Sequence, residues 1–390
     1  MSNYAVLGLG MMGSAICYDL LHYDNSYVYA FDADENRLSQ ASSLFSSSNK
    51  FYSFPLQLNL NDPIDNHPLI RFIQEKKISL VFGAIDYRYN YYLSQLCIVA
   101  RAHFVDLGGN PAIVRKQRTL NQLAKEHEVT IIPDLGLAPG MINIIAAYAM
   151  TKFDLLSECH LRVGGLPQNP KTSLNYQQVF SIRGLTNEYL EDTVIIRDRK
   201  IKTIPSLTEV EILTFPDPWG NLEAFQTAGG SSSLPELYSG KIDHLTYKTI
   251  RYPGHCRYFQ FLKEFGLLSS EPLPFNPIFT PREVIEYFLE QKLPRNEPDV
   301  VLARIKVSGS FQGSKKVHIY ELIDYMDKET GYSAMARTTS FPTSIIGHFI
   351  VEGIISSNGV LYAEQSVPYK LFLDELAKRN IKFLFREESI

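Results

Sequence analysis

Three glycines near the start of the chain have the spacing of a dinucleotide-binding turn. They belong to GLGMMG at residues 8–13, which follows a short apolar strand at 4–7 and precedes a stretch at 12–21 whose periodicity predicts a helix. Such glycines permit a tight turn and a close approach of the backbone to a pyrophosphate, which the helix start attracts. The residues expected to contact this part of a cofactor are Gly8, Gly10, Met11, Met12 and Gly13. A domain of the same fold without a ligand stays open as the alternative.

The end of the second predicted strand indicates which dinucleotide binds. Asp32 follows an apolar strand at 27–31 and lies 19 residues beyond Gly13. A carboxylate at this place accepts hydrogen bonds from an adenosine ribose and repels a 2′-phosphate, so NAD is favoured over NADP. Arg37 lies near enough in sequence to weaken that preference.

Small residues follow several later strands, where ligands bind in open α/β sheets. The further cofactor-contacting residues expected at this edge are Ala84, Gly108, Pro139 and Gly140. In the stretch VTIIPDLGLAPGMIN at 129–143, a buried strand delivers Asp134 to the same edge. Pro139 is expected in the first turn of the helix that follows, because a missing N–H needs no partner there. Asp134 has a purely local capping role as its alternative.

Two later segments concentrate residues that suit a small polar substrate. LEAFQTAGGSSSL at 222–234 is rich in small and hydroxyl residues, and YKTIRYPGH at 247–255 places Arg251 and His255 four residues apart. An arginine can form a bidentate pair with a carboxylate, and a histidine exchanges protons near neutral pH. An ion pair of Arg251 within its own domain and a structural role for His255 stay open.

In the first part of the chain, the spacing of apolar residues alternates between a period of 2, typical of strands, and a period of 3.6, typical of helices. These strands and helices must position the residues named above. The apolar strands are expected at 4–7, 27–31, 80–82, 104–106 and 129–132. Helical stretches separate them, including one long helix at 115–127. This pattern predicts an α/β fold class, with a Rossmann-type, doubly wound parallel sheet over residues 1–138.

Past residue 140 the pattern changes to strands joined by tight turns. Strands are expected at 158–163, 193–204 as a hairpin, 245–252, 300–307, 316–325 and 332–338. With a helix at 282–291, they predict an α+β domain for substrate binding and oligomerisation over 139–340, with a mainly antiparallel sheet. The remaining residues, 341–390, are expected to form helices that return to the Rossmann domain.

Composition restricts the functional class. The 390 residues carry 38 Lys and Arg against 42 Asp and Glu, a net charge of −4, which argues against a nucleic-acid binder. With 45% hydrophobic residues and a length beyond that of most single cores, two domains are expected. The four cysteines have no CxxC spacing, so neither disulfides nor a metal site is expected. The first residues lack the features of a signal peptide or membrane span, which predicts a cytoplasmic protein.

The motifs together resemble the saccharopine dehydrogenase-like family and, within it, the L-lysine 6-dehydrogenases. The matching segments are GLGMMG at 8–13, VDLGGN at 105–110, VTIIPDLGLAPGMINI at 129–144, VGGLP at 163–167, LEAFQTAGG at 222–230, YKTIRYPGH at 247–255 and AMART at 334–338. The resemblance implies an enzyme that uses NAD to oxidise the ε-carbon of L-lysine. Ammonia is then released, and the resulting aldehyde cyclises to a piperideine carboxylate.

The resemblance also implies roles for the residues singled out above. Oxidation at Cε requires a neutral amine, whereas the amine of lysine has a pKa of about 10.4 in water. His255 is the candidate proton acceptor, and Asp134 is expected to hold or tune the cationic amine. Arg251 is expected to bind the substrate carboxylate. Tyr176 and Thr227, in segments that also match, are expected to supply hydrogen bonds, with loops of both domains contributing to one cleft.

Two other functions stay open. A secondary-amine dehydrogenase of the same family would act on saccharopine or carboxynorspermidine with NADP, and its larger substrate with two carboxylates would demand a second anion site besides Arg251. A dinucleotide-binding sensor or scaffold without turnover would have lost the site segments, which are intact here. Aromatic content and exposed strand edges favour a homodimer or homotetramer.

Overall fold

Alternating strands and helices build the first part of the chain, and a second sheet follows them. The computed structural model describes residues 2–273 and 277–389. These residues form two compact units. The first runs to Ile145 and resumes over Ala336–Lys382, and the second comprises Ala146–Met335 and the residues from Phe383 onward.

The described residues form strands and helices of ordinary length. The strands are β1 (Asn3–Leu7), β2 (Tyr27–Asp32), β3 (Phe51–Pro55), β4 (Leu80–Gly83), β5 (His103–Asp106), β6 (Thr130–Ile132), β7 (Leu155–Pro167), β8 (Thr193–Arg197), β9 (Lys200–Ile204), β10 (Glu211–Phe215), β11 (Gly220–Gln226), β12 (His244–Arg251), β13 (Asp299–Phe311), β14 (Ser314–Tyr325), β15 (Gly359–Val360) and β16 (Leu384–Ser389). The helices are α1 (Met11–His22), α2 (Glu35–Leu44), α3 (Pro68–Glu75), α4 (Asn90–Ala100), α5 (Pro111–Thr119), α6 (Asn121–Glu126), α7 (Met141–Met150), α8 (Ile182–Leu190), α9 (Leu234–Tyr238), α10 (His255–Glu264), α11 (Pro281–Lys292), α12 (Ala334–Val351), α13 (Ala363–Ser366) and α14 (Tyr369–Lys378).

The sheet of the first unit is parallel, as the sequence predicted. Within the described residues its strand order is β15-β6-β5-β4-β1-β2-β3, and each neighbouring pair is parallel. Because β1 lies between β2 and β4, the strand order reverses there, and ligands of such sheets bind at the carboxyl ends beside this reversal. The Rossmann-type fold is therefore confirmed, and it brings the glycine turn and Ala84 to the expected edge.

The helix predicted at 115–127 is interrupted. α5 ends at Thr119, and α6 begins at Asn121. The N–H of Leu120 bonds to the carbonyl of Gln117 at 3.0 Å, which closes a tighter turn than an α-helix allows. α5 also starts earlier than predicted, because the side chain of Asn110 accepts hydrogen bonds from the first N–H groups at 2.9 and 3.2 Å.

The second unit contains the mainly antiparallel sheet that the sequence predicted. Within the described residues the order is β10-β11-β12-β7-β13-β14-β16, with the β8–β9 hairpin attached to β12. β7 and β12 run parallel, and the other pairs are antiparallel. β12 carries Tyr247, Thr249 and Arg251 on one face, since side chains alternate along a strand.

The prediction of a strand at 332–338 is wrong. α12 begins at Ala334, and its first N–H groups, of Ala334 and Met335, donate to the carboxylate of Asp299 at 2.7 and 2.9 Å. Asp299 belongs to β13, so this cap comes from a residue distant in sequence, and a local pattern does not reveal it.

The end of the chain also differs from the expectation of helices alone over 341–390. After α14, residues Leu384–Ser389 form β16, which pairs antiparallel with β14. Phe385 of β16 packs against the rings of His318 and Tyr320, with centroid distances of 5.2 and 4.9 Å. These contacts with β14 are long-range, which explains why helical periodicity nearby was the stronger signal.

Cys17, Cys97, Cys159 and Cys256 are buried and form no disulfide. Among the helices within residues 2–273 and 277–389, none combines the length and apolar character needed to cross a bilayer.

Candidate active site

The glycine turn has the geometry of a phosphate-binding loop. Gly8 has φ of +97°, and a Cβ there would lie 2.5 Å from the carbonyl oxygen of Ala84. A Cβ at Gly13 would collide with the carbonyl oxygen of Gly8, so only glycine lets α1 begin this close to β1. At Gly10, the N-cap of α1, the nearest atom to a Cβ would be Arg37 Nη1 at 3.9 Å, which leaves room for a ligand.

Asp32 lies at the end of β2, where the sequence placed it. Its Oδ2 accepts a hydrogen bond from the N–H of Leu9 at 2.6 Å, and its Oδ1 accepts one from the N–H of Asp34 at 2.9 Å. Carboxylate oxygens have two lone pairs each, so both retain capacity for ribose hydroxyls. Arg37 Nη1 lies 3.7 Å from Asp32 Oδ2. The glycine cradle, the N-terminus of α1 and this carboxylate therefore fit a dinucleotide.

Gly108, another of the cofactor-contacting residues predicted at this edge, adjoins a pair of carboxylates. Asp106 ends β5 and Asp134 follows β6, so adjacent strands deliver both groups to the same edge. The N–H of Gly108 donates to Asp106 Oδ1 at 2.8 Å, and a Cβ at Gly108 would collide with the carboxylate of Asp134. Gln117 Nε2 donates to Asp106 Oδ2 at 2.7 Å.

Burial changes the acidity of this pair. Desolvation raises the pKa of Asp106 to about 7, the hydrogen bond from Gln117 opposes the shift, and the charge of Asp134 adds to it. Asp134 is 8% exposed and has a left-handed backbone with φ of +63°. A carboxyl that titrates near neutral pH can accept and return a proton, which is an ability that the sequence did not reveal for Asp106.

Pro139 and Gly140 do not start the helix, contrary to the sequence-based expectation. The Ala138–Pro139 peptide bond is cis, and α7 begins at Met141. The N–H of Gly136 bonds to the carbonyl of Pro139 at 2.8 Å, which closes a turn before the helix. Gly140 has φ of +123°, and a Cβ there would collide with Gly136, so the backbone of this turn itself requires glycine.

In the second unit, Arg251 and His255 lie at either end of a hydrogen-bonded series. Arg251 Nε donates to the hydroxyl of Tyr189 at 3.0 Å, and that hydroxyl lies 3.0 Å from His255 Nε2. His255 Nδ1 lies 2.9 Å from the carbonyl of Leu174 and must be the protonated nitrogen, since a carbonyl only accepts. Nε2 therefore accepts from Tyr189, and both ring nitrogens are occupied.

The environment of His255 keeps its ring neutral. Burial lowers its pKa to about 3, and the charge of Arg251 adds to this effect. The expectation of an ordinary pKa for His255 is therefore not met, because the side chain is 1% exposed and faces a cation. Its catalytic role stays a prediction, and its contacts favour holding Tyr189 in place.

Arg251 is buried without a counter-ion. It is 2% exposed, its Nη1 donates to the carbonyl of Ile250 at 2.9 Å, and no carboxylate within residues 2–273 and 277–389 forms an ion pair with it. Tyr176 lies beneath it, with the guanidinium carbon 5.1 Å from the ring centroid. Thr227 is linked to the neighbouring strand by a 2.7 Å contact between its Oγ1 and that of Thr249. Tyr176, Arg251 and His255 are thus brought together, whereas Asp134 belongs to the first unit.

Sequence reasoning missed Tyr189 and Glu188, which adjoin each other on α8. No sequence motif marks this helix, and its relation to Arg251 arises from the fold of the sheet. Burial raises the pKa of Glu188 to about 7, against the opposing charge of Arg251. The side chain of Glu188 is partly exposed and has no hydrogen bond or ion pair with any described residue.

Comparison with known proteins agrees with this architecture. The family described as saccharopine dehydrogenase C-terminal domain matches residues 136–381, more than half of the chain. The chain belongs to the saccharopine dehydrogenase family. The resemblance drawn from the motifs is therefore confirmed at the level of the family, and with it an oxidoreductase.

Relatives of this family differ in the reactions that their names describe. A saccharopine dehydrogenase (NADP⁺, L-glutamate-forming) of Pyricularia oryzae is 22% identical over 80% of this chain and 83% of its own length. A carboxynorspermidine synthase of Vibrio cholerae is 23% identical over 78% of this chain and 77% of its own. The structure of a saccharopine dehydrogenase (L-Glu forming) from Saccharomyces cerevisiae has a TM-score of 0.80, 19% identity and full coverage of both chains. At this identity the structural likeness shows the shared fold.

Proposed function

We propose that the protein is a cytoplasmic L-lysine 6-dehydrogenase that uses NAD. L-lysine, NAD⁺ and water would give the 6-aldehyde, which cyclises to 1-piperideine-6-carboxylate, together with NADH, ammonium and a proton. The observation that carries the proposal is Arg251, a buried guanidinium without a carboxylate partner among the described residues. A buried charge of this kind is costly unless a ligand pairs with it, and a guanidinium matches a carboxylate in shape and charge.

The neighbours of Arg251 prepare it for such a ligand. Tyr189 and the carbonyl of Ile250 each accept one of its hydrogen bonds, which fixes the plane of the guanidinium. His255 fixes Tyr189 in turn. A preorganised group loses little conformational entropy on binding, so a single carboxylate suffices to anchor one end of an amino acid.

Gly8, Gly10, Met11, Met12, Gly13 and Asp32 would hold the dinucleotide, with Ala84, Gly108, Pro139 and Gly140 at the same edge of the sheet. The bound cofactor supplies an acceptor for the hydride that leaves Cε. Since this step requires a neutral amine, we propose that Asp134 and Asp106 hold the proton that the amine gives up. The pKa of Asp106, about 7, suits that exchange.

A second candidate is an NADP-dependent secondary-amine dehydrogenase acting on saccharopine or carboxynorspermidine. Arg37 favours it, because its guanidinium lies beside Asp32 and near Gly10, within reach of a 2′-phosphate position. The names of the two relatives, a saccharopine dehydrogenase and a carboxynorspermidine synthase, also favour this candidate. Saccharopine carries two carboxylates more than L-lysine, so it would need cations besides Arg251, whereas carboxynorspermidine carries one carboxylate.

One assay separates these candidates. Purified protein is mixed with NAD or NADP and, in turn, L-lysine, saccharopine and carboxynorspermidine at alkaline pH, and reduced cofactor is followed by absorbance. The proposal predicts reduction of NAD with L-lysine. A signal only with a secondary amine would establish the second candidate, and no signal with any amine would contradict both.

A further inference from the structure

Glu188 is the carboxylate that the mechanism above leaves unused. It lies on α8 next to Tyr189, whose hydroxyl receives the hydrogen bond from Arg251 Nε. The carbonyl of Glu188 accepts from the N–H of Ala228 at 2.9 Å, which ties this residue to the segment that follows β11. Its side chain remains partly exposed and makes no hydrogen bond with a described residue.

Glu188 and Arg251 influence each other without pairing. The charge of Arg251 stabilises the carboxylate of Glu188, and the charge of Glu188 stabilises the guanidinium. No ion pair or hydrogen bond joins the two side chains among the described residues. Neither charge is therefore neutralised by a direct contact with a described residue, and a ligand that carries both an ammonium and a carboxylate group would pair with each of them.

We propose that Glu188 binds the α-ammonium group of the substrate while Arg251 binds its α-carboxylate. The site would then recognise the zwitterionic end of an α-amino acid, with Glu188 as the residue that distinguishes it from a carboxylic acid lacking the α-amino group. This inference deepens the proposed function and rests on it.

The chemistry of the carboxyl group agrees with this role. Burial raises the pKa of Glu188 to about 7, so this carboxyl group ionises readily when a cation binds beside it. The groups that act electrostatically with Glu188 are Arg251, Tyr176, Tyr189 and Tyr247. None of these carries a negative charge near neutral pH, because burial raises the pKa of each tyrosine. Glu188 is therefore the member of this cluster that can carry the negative charge to bind an ammonium group.

The test compares L-lysine with 6-aminohexanoate, which keeps the carboxylate and the reacting amine and lacks the α-amino group. The full-length protein is assayed as wild type, Glu188→Gln and Glu188→Asp, with Glu264→Gln as the matched control, since Glu264 is exposed at the end of α10. A charged hydrogen bond accounts for about tenfold or more in affinity, so Glu188→Gln should raise the KM for L-lysine about tenfold. The preference for L-lysine over 6-aminohexanoate should fall by the same factor, and Glu188→Asp should recover part of it.

The outcomes separate the inference from the proposed function. If the wild type oxidises L-lysine and Glu188→Gln keeps the substrate preference of Glu264→Gln, the role of Glu188 is overturned while the proposed function stands. If the wild type oxidises no amine, the proposed function fails and the inference fails with it. Thermal unfolding of each variant identifies any loss of fold. If Glu188→Gln is unstable, the substrate preference of Glu188→Asp, which keeps the charge on a shorter side chain, is compared with that of the wild type instead. An unchanged KM and preference in that variant would overturn the role of Glu188.

Discussion

At the scale of residues, the carboxylate of Asp32 has two tasks. It supports the glycine turn through the N–H of Leu9, and it is the residue expected to bind the adenosine ribose. Asp32→Ala should raise the KM for NAD by about tenfold or more and change kcat much less, because ribose binding is equal in ground and transition states. Steady-state kinetics beside Asp65→Ala, an exposed site in the same unit, check this. Equal losses in kcat and kcat/KM would contradict the role.

His255 provides a test of positioning against proton transfer. Both of its ring nitrogens are engaged, and its neutral form holds Tyr189 against Arg251. His255→Gln should therefore raise the KM for L-lysine about tenfold, as expected for one lost buried hydrogen bond, and leave the pH profile of kcat unchanged in shape. Loss of an inflection near neutral pH would instead make His255 the proton acceptor predicted from the sequence.

The buried ring of His255 also predicts a pH dependence of stability. Its pKa falls from 6.5 to about 3 on folding, so the unfolded chain takes up a proton that the folded chain refuses. Its contribution is complete above pH 6.5 and is lost as the pH falls from there toward 3, by up to about 1.4 kcal/mol per pH unit. Asp106 and Glu188, whose pKa values are raised, act in the opposite sense.

Urea unfolding at pH 7.5 and 5 measures this effect. The wild type should lose more unfolding free energy between the two pH values than His255→Gln, since the carboxyl groups contribute equally in both proteins. Equal losses would mean that His255 is protonated in the folded state.

At the scale of elements, α8 carries both Tyr189 and Glu188, and α11 holds it in place. Arg282 of α11 donates to Thr186 Oγ1 at 2.7 Å and to Asn187 Oδ1 at 2.8 Å, directly before Glu188. It also forms a buried ion pair with Glu286, at 2.6 Å. The position of the proposed ammonium-binding residue therefore depends on a contact between two helices.

Removal of Arg282 should disturb this contact and the substrate site together. Arg282→Met leaves the half-exposed Arg183, 3.4 Å away, as the remaining cation beside the buried Glu286, so the loss should be about 3 kcal/mol, the lower end for a broken buried pair. Arg282→Met with Glu286→Leu removes both charges of the pair and should recover most of that stability. The KM for L-lysine should rise in both variants, and the KM for NAD should not. Urea unfolding and kinetics are compared with Lys292→Met, an exposed site on α11. A change in both KM values, or in neither, would contradict the positioning role.

The elements that the sequence predicted well are those with local signals. The glycine spacing and the alternation of apolar strands and helices are properties of neighbouring residues, so β1, α1 and the parallel sheet followed from them. The cap of α12 by Asp299 and the pairing of β16 with β14 join residues distant in sequence. The site divides in the same way: Arg251 stands out as a residue type within a motif, but Glu188 and Asp106 acquire their properties from burial.

At the scale of the whole molecule, the residues proposed to bind the dinucleotide and those proposed to bind the substrate carboxylate belong to two different compact units. The first holds the residues that fit a dinucleotide, and the second holds Arg251 with its neighbours. The second unit also exposes aromatic side chains on α10, directly after it and on α11, including Phe261, Phe265, Tyr287 and Phe288. The homodimer or homotetramer expected from the sequence stays a prediction that these side chains favour.

The central claim is that Arg251 binds the carboxylate of an amino acid whose amine is oxidised. The most direct measurement is kcat/KM of the wild type and Arg251→Met for L-lysine and for cadaverine, the diamine without the carboxylate. Fluorescence titration with NADH is the control for an intact first unit. Loss of a buried charged pair predicts a decrease of about a hundredfold or more for L-lysine, with little change for cadaverine. A decrease of the same size for both amines, or for neither, would contradict the account.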